Sequence, residues 1–285
     1  MTNANVTVVI DNMVPTHAPK PFLGEHGLSM LLEIDGRRLL IDTGQTAAVA
    51  HNLGLLGFAP SSFDAIVLSH GHYDHAGGLP HVLERAGRRL PVFVHAEAFG
   101  EKYSVSRGER RFVGIPMRVE RLEGVGADFQ RVEAPVEWSP GLWLSGSVPR
   151  VTDFETGDAR LVAPDAGRGC DCQDPLTDDM AVFCRTPRGL VVVSGCTHSG
   201  LVNVVRHGLA LTSCTRLHGW IGGTHLGPVG AAQQEATLAQ LVAFAPDFVA
   251  ANHCTGFSMM ARLQAAFGER FIPAFVGTEI SFASA

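Results

Sequence analysis

Short apolar runs separated by turn residues recur along most of the chain, alternating between strand-like and helix-like lengths. Val6–Asp11 and Leu28–Ile34, rich in Val, Ile and Leu, read as strands. Asp35-Gly36 signals a hairpin, which makes Arg37–Ile41 the return strand. Asp42-Thr43-Gly44 ends it, and Thr46–Leu56 reads as helix. Ala65–Leu68 is a short buried strand, followed by a helix over Gly77–Ala86 and a strand over Pro91–His95. Further on, strands are predicted at Met180–Arg185, Gly189–Ser194, Leu217–Gly222 and Asp247–Ala251, with Phe271–Phe275 as the last. Helices over Leu201–Leu211, Ala231–Phe244 and Phe257–Phe267 separate them. Gly100–Pro175 is charged, glycine- and proline-punctuated and irregular; it reads as a loop-rich insertion with Gly141–Gly146 its best strand candidate. This alternation, with antiparallel hairpins mixed in, predicts packed sheets covered by helices in a single domain over residues 1–285.

Composition narrows the class. Of 285 residues, 46% are hydrophobic and 18% charged, enough for a sizeable core and against global disorder. A net charge of -6 offers no general basic surface, so nucleic acid is not an expected partner. The first residues lack a basic segment followed by an apolar stretch, and no apolar run approaches the roughly 20 residues of a membrane helix. The expectation is a cytoplasmic protein, or a mature form whose leader has been removed. The 6 cysteines are scattered through a long chain, which favours reduced thiols over a disulfide framework.

The chemistry concentrates in Leu68–Gly78, LSHGHYDHAGG. His70, His72, Asp74 and His75 follow directly on a buried strand. In an extended or turning segment, positions i and i+2 share a side, so His70 and His72 can grip one cation together. Asp74 and His75 lie at the turn, able to face a second. Imidazole with carboxylate suits zinc, and also iron or manganese. The strand end is where an α/β architecture places such a site.

This segment resembles the signature of the metallo-β-lactamase superfamily, and Asp42-Thr43-Gly44 resembles that family's turn before its first helix. The resemblance implies an αββα sandwich (α+β, two mixed sheets flanked by helices) with two divalent metals at one edge of the sheets. It also implies further ligands. Ser194-Gly195-Cys196-Thr197-His198 follows an apolar strand where the superfamily usually has Gly-Asp, so Cys196 stands at the bridging position, as ligand or as inert thiol. His198 stands in for the family's third histidine, and His253, in Asn252-His253-Cys254-Thr255-Gly256, for its last one. Cys254 is expected as a neighbour. His225, in Gly222-Gly223-Thr224-His225-Leu226, is a candidate for substrate binding, proton relay or support of the ligands, with a plain structural histidine as the alternative. His17, His26, His51, His81, His95, His207 and His218 lack such surroundings and read as structural or surface residues.

These motifs together, with weaker matches at Gly146–Arg150, Glu155 and Asp178-Asp179, are similar to one subfamily. It is named for 7,8-dihydropterin-6-methyl-4-(β-D-ribofuranosyl)aminobenzene 5′-phosphate synthase. The first functional expectation is hydrolysis of an ester, amide or phosphate by a water activated between two metals. His70, His72 and His198 would hold one metal, and Asp74, His75 and His253 the other, with Cys196 near both. Asp74 doubles as the group that orients the nucleophile. A small and anionic substrate would be met by Arg150, Arg160 or Arg168. Two alternatives stand beside this: synthase chemistry on a pyrophosphate-bearing pterin, and a non-catalytic metal- or ligand-binding protein.

Overall fold

A computed structural model describes residues 3–165, 167 and 169–284. The chain opens with β1 (Asn3–Ile10), β2 (Ser29–Ile34), β3 (Arg37–Ile41), α1 (Ala48–Leu56), β4 (Ala65–Val67), α2 (Tyr73–Ala76), α3 (Leu79–Ala86) and β5 (Leu90–Val94). There follow β6 (Tyr103–Ser106), β7 (Glu109–Phe112), α4 (Val119–Gly124), β8 (Ala127–Arg131), β9 (Val136–Ser139), β10 (Leu142–Leu144), β11 (Leu161–Asp165) and β12 (Cys170–Gln173). The last part holds β13 (Ala181–Thr186), β14 (Gly189–Ser194), α5 (Leu201–Thr212), β15 (Leu217–Gly222), α6 (Ala231–Phe244), β16 (Phe248–Ala251), α7 (Phe257–Phe267), β17 (Phe271–Pro273) and β18 (Glu279–Ala283).

Two mixed sheets face each other. One runs β18-β1-β2-β3-β4-β5-β8 and the other β17-β16-β15-β14-β13-β10-β9. Alternation along each strand splits its side chains between two cores. Met30 and Leu32 of β2, Leu39 and Ile41 of β3, and Val191 and Val193 of β14 point between the sheets. Leu31 and Leu40 point outward, onto a layer that includes Val49 and Leu53 of α1 and Leu79, Val82 and Leu83 of α3. Val192 and Trp220 point outward on the other side, beneath Val204 and Val205 of α5, Leu241 of α6 and Leu263 of α7. Strands buried on both faces read as continuous apolar runs, which is why they were legible. The layers are therefore helix, sheet, sheet, helix, the expected αββα sandwich.

Three expectations need correction. Gly100–Pro175 holds more strands than the one expected: it contributes β8 to the first sheet and β9 and β10 to the second, and builds a separate sheet of order β12-β11-β6-β7. β10 falls within the expected Gly141–Gly146, but the other strands escaped notice because they bury little. β7 is exposed throughout, and the small core here is Val113, Leu161 and Leu176 against Tyr73. The helix expected over Gly77–Ala86 begins at Leu79 as α3, and a separate short helix, α2, precedes it on the other side of Gly77-Gly78. Phe271–Phe275 is not the last strand: β18 follows and pairs antiparallel with β1. No helix among the described residues is long and apolar enough to cross a membrane.

Candidate metal centre

The parallel parts of both sheets end at one edge of the sandwich. β4 delivers His70, His72, Asp74 and His75, while β14, β15 and β16 deliver Cys196 with His198, His225, and His253 with Cys254. The HGH turn fits only because position 71 lacks a side chain: a Cβ there would stand 1.9 Å from the Ala98 carbonyl oxygen. Gly195 is equally confined, with Ser69 Oγ 2.1 Å from a Cβ at that position.

Imidazole nitrogens converge in two groups. His70 Nε2 lies 2.9 Å from His72 Nδ1 and 3.2 Å from His198 Nε2. His75 Nε2 lies 3.2 Å from His253 Nε2 and 3.1 Å from Cys196 Sγ. Asp74 Oδ2 stands 3.5 Å from His253 Nε2 and 3.8 Å from His75 Nε2. Donor atoms of His70, Cys196 and His198 all fall within 4.8 Å of one another, and so do those of His75, Cys196 and His253. The structure thus brings together the seven residues read from the sequence as ligands, with the Cys196 sulfur common to both groups. Facing imidazole nitrogens, a thiol and a carboxylate form a donor set suited to zinc. His72 Nε2 is buried without a hydrogen-bond partner, an orphan that a polar site otherwise rarely leaves.

Electrostatics favour ligand-ready rings. Burial, helped by neighbouring imidazoles, holds the imidazoliums of His70, His198 and His253 well below the ordinary range. Burial and the nearby Lys102 do the same to His72. His75 differs: burial pushes it down, but the Asp42 and Asp74 carboxylates more than reverse this and carry it to about 9. At the thiols, burial pushes Cys196 up. Desolvation pushes the half-buried Cys254 up as well, yet hydrogen bonds from Cys196 and His225 bring it well below its ordinary range.

Residues other than the candidate ligands hold this arrangement. Asp178 accepts the Gly71 N–H at 2.8 Å and Lys102 Nζ at 2.9 Å, and Asp179 accepts the Ser199 N–H at 2.8 Å. Asp11 accepts the His253 N–H at 2.8 Å, and Asn12 Oδ1 lies 2.8 Å from His253 Nδ1. Burial raises the Asp11 carboxyl to about 6 against these hydrogen bonds. Asp11 and Asn12 lie 242 and 241 residues from His253, and no local pattern marks them.

The centre floors a cleft of about 360 Å³. His26, Tyr73, Arg111, Arg160, Asp158 and His225 are among its walls. The sheet β12-β11-β6-β7 supplies the outer wall through Ser104, Arg111 and Leu161. His26, read as a surface residue, places Nδ1 3.4 Å from Asp74 Oδ2. Arg160 lines the cleft as expected of an anion-binding candidate, with Asp158 as its partner. Arg150 is not among the residues that line the cleft; its guanidinium donates to the carbonyls of Pro175 and His198 at 3.0 Å each. It braces the His198 loop. Arg168 lies outside the described residues.

His225 faces the cleft with its ring centroid 4.1 Å from that of His198, and neither ring nitrogen has a hydrogen-bond partner. Its Nε2 lies 3.5 Å from Asp158 Oδ2. Asp158 belongs to the segment read as insertion, so its approach was not foreseeable from spacing.

An αββα sandwich with this histidine-rich edge defines a class. The profile of the metallo-beta-lactamase superfamily matches residues 23–153. The chain is also 33% identical over 262 residues to the uncharacterized protein MJ0448 of Methanocaldococcus jannaschii, covering 90% of this chain and 93% of that one. The chain belongs to the metallo-β-lactamase superfamily. More particularly, it is 27% identical over 280 residues to the 7,8-dihydropterin-6-methyl-4-(beta-D-ribofuranosyl)-aminobenzene-5'-phosphate synthase of the same organism, covering 92% of each chain. Its fold is shared with the crystal structure of Tm1679, a metal-dependent hydrolase of the beta-lactamase superfamily, at a TM-score of 0.83 and 23% identity over 99% of this chain and 100% of that one.

Proposed function

We propose that this protein is a metal-dependent hydrolase that cleaves an ester, amide or phosphate in a small anionic substrate. The observation that carries the reading is the pair of three-donor groups sharing Cys196 at the floor of the cleft. His70, His72 and His198 hold one divalent cation, and Asp74, His75 and His253 hold the other. Zinc is the first expectation from the sulfur and nitrogen donors, with iron or manganese as alternatives. Such a pair supplies Lewis acidity and a water activated near neutral pH. Around it, Asp74 orients the nucleophile, His225 stands at the reacting end of the substrate, and Arg111 and Arg160 take its anionic part. The test is turnover on a panel of phosphoesters, lactones and thioesters before and after chelation. Hydrolysis that disappears with chelator and returns with Zn²⁺ supports the reading; metal-loaded protein inert on every member of the panel rejects it.

Full-length similarity to a synthase supports a second reading, transfer in place of hydrolysis. Product analysis with a dihydropterin pyrophosphate and a ribofuranosylaminobenzene phosphate separates the two. A condensed product identifies a transferase, and release of the pterin alcohol a hydrolase.

A further inference from the structure

The metal centre described above does not use every soft donor at this edge. Cys196 Sγ, a ring nitrogen of His225 and Cys254 Sγ also lie within 4.8 Å of one another. We propose that these three residues form a third cation position, specific for a thiophilic divalent ion such as Zn²⁺ or Cd²⁺. It rests on the reading of the neighbouring pair only through the shared sulfur of Cys196.

The three donors sit on the ends of adjacent parallel strands, and the loops that carry them are bound to one another. The Gly223 N–H donates to the Gly195 carbonyl at 2.9 Å, and Thr197 Oγ1 donates to the Gly223 carbonyl at 2.6 Å. Thr224 Oγ1 donates to Thr255 Oγ1 at 3.1 Å, and the Gly227 N–H to the Cys254 carbonyl at 3.2 Å. These bonds fix the spacing of the donors before any ion arrives. Gly223 leaves room for the second sulfur, since a Cβ there would meet Cys254 Sγ at 2.7 Å.

His225 is held for this task in an uncommon way. Its backbone is left-handed, with φ of 46°, a conformation that non-glycine residues adopt mainly where the surroundings impose it. Its N–H donates to Cys254 Sγ at 3.2 Å, which ties the two donor residues together. Both ring nitrogens are buried and lack a hydrogen-bond partner. A polar ring placed so would be costly without a ligand to satisfy it. Asp158 Oδ2, 3.5 Å from Nε2, is placed to orient the ring.

The donor set decides the ion. Two sulfurs and one imidazole favour zinc and cadmium over manganese or magnesium, which prefer oxygen. Two cysteines and a histidine with a free fourth position form a set that zinc uses at open sites. All three residues line the cleft, so that fourth position faces the substrate space.

The experiment titrates the metal-free, reduced full chain with Cd²⁺, counting ions per chain by native mass spectrometry and following the thiolate-to-cadmium charge-transfer absorbance. The expected uptake is about three Cd²⁺ per chain, against about two Mn²⁺. Cys254→Ala and His225→Gln should each stop at about two Cd²⁺ with circular dichroism unchanged, and Cys254→Ala should also lose part of the charge-transfer band. The second variant decides the matter should the first not fold. Wild-type protein saturating at two Cd²⁺, or a folded variant still taking three, overturns the proposal and leaves the two-metal reading intact. A third ion that survives in the His75→Ala protein while the pair is lost upholds this proposal against that reading, and a chain taking up no Cd²⁺ sinks both.

Discussion

His75 Nδ1 lies 2.7 Å from Asp42 Oδ2, and both side chains are fully buried. The same Oδ2 accepts Ser69 Oγ at 2.7 Å, and Oδ1 accepts the Ser69 N–H at 2.7 Å. Ser69 Oγ in turn lies 2.9 Å from His70 Nδ1. One carboxylate at the end of β3 therefore orients a ring in each of the two imidazole groups. Carboxylates in this outer position typically change metal affinity by about 10–100-fold. Asp42→Asn, which keeps the shape and removes the charge, is expected to weaken zinc binding by about that factor, measured by competition with a chromophoric chelator. In the metal-free variant the His75 resonance should titrate well below about 9, the value that the carboxylates impose.

His72 and His95 offer a paired test. His72 Nδ1 faces His70 Nε2, whereas His95 is spent on the Glu97 N–H at 3.1 Å and on Ser147 Oγ at 2.9 Å. Elemental analysis of His72→Ala should show at least about one metal equivalent fewer per chain, and His95→Ala should keep the full complement. Unchanged metal in His72→Ala would remove the ground for the assignment.

Gly71→Ala should be damaging out of proportion to the single methyl group added. The Cβ would stand 1.9 Å from a backbone oxygen, and backbone cannot rotate away as a side chain can. Overpacking of this kind costs about 1–3 kcal/mol, visible as a lower denaturant midpoint. Metal affinity should fall with it, because the displaced turn carries His70 and His72.

Arg111 and Arg150 should separate kinetically. Arg111 lines the cleft with its guanidinium carbon 5.3 Å from the centre of the Tyr73 ring. Arg111→Ala is expected to raise KM for anionic substrates by about 10-fold with kcat retained, the pattern of lost uniform binding. Arg150→Ala removes the brace on the His198 carbonyl and should lower thermal stability for the whole protein without discriminating among substrates. Equal KM for both variants would place the anion elsewhere.

Far from the cleft, Asp247 gathers Arg216 at 2.9 Å, Arg188 at 3.1 Å and His218 Nδ1 at 2.6 Å. The hydrogen bond from Arg216, followed by that from His218, holds its carboxyl well below the ordinary range. A depressed folded-state pKa means stability that is present in full above the unfolded value near 4 and lost as pH falls through the folded one. Asp247→Asn should therefore cost about 1 kcal/mol at pH 7 and progressively less below pH 4, read from urea unfolding across pH. A cost that stays constant to pH 2 would contradict this.

The sandwich was readable because its strands are buried on both faces and so appear as mostly apolar runs, as in Leu28–Ile34 and Gly189–Ser194. The wall of the cleft was not, because β7 is exposed throughout and β6 is only four residues long with no fully buried side chain. A signal was there in Arg107-Gly108, whose backbones at φ 52° and 82° turn one strand into the other. β18 also alternates, with Ile280 and Phe282 buried between Glu279 and Ser281.

The sequence by itself determined the class of chemistry, because His70, His72, Asp74 and His75 are close along the chain and local geometry alone keeps them together. Tertiary structure decided everything that depends on contacts between distant segments. It seated Cys196 between two groups of imidazoles, set Asp158 beside His225, tied Asp11 and Asn12 to His253, and set Arg150 on the His198 carbonyl. The physical reason is that a ligand's role is set by where strand ends meet in space. Sheet order and register govern that meeting, and residue spacing along one strand carries no record of its neighbour.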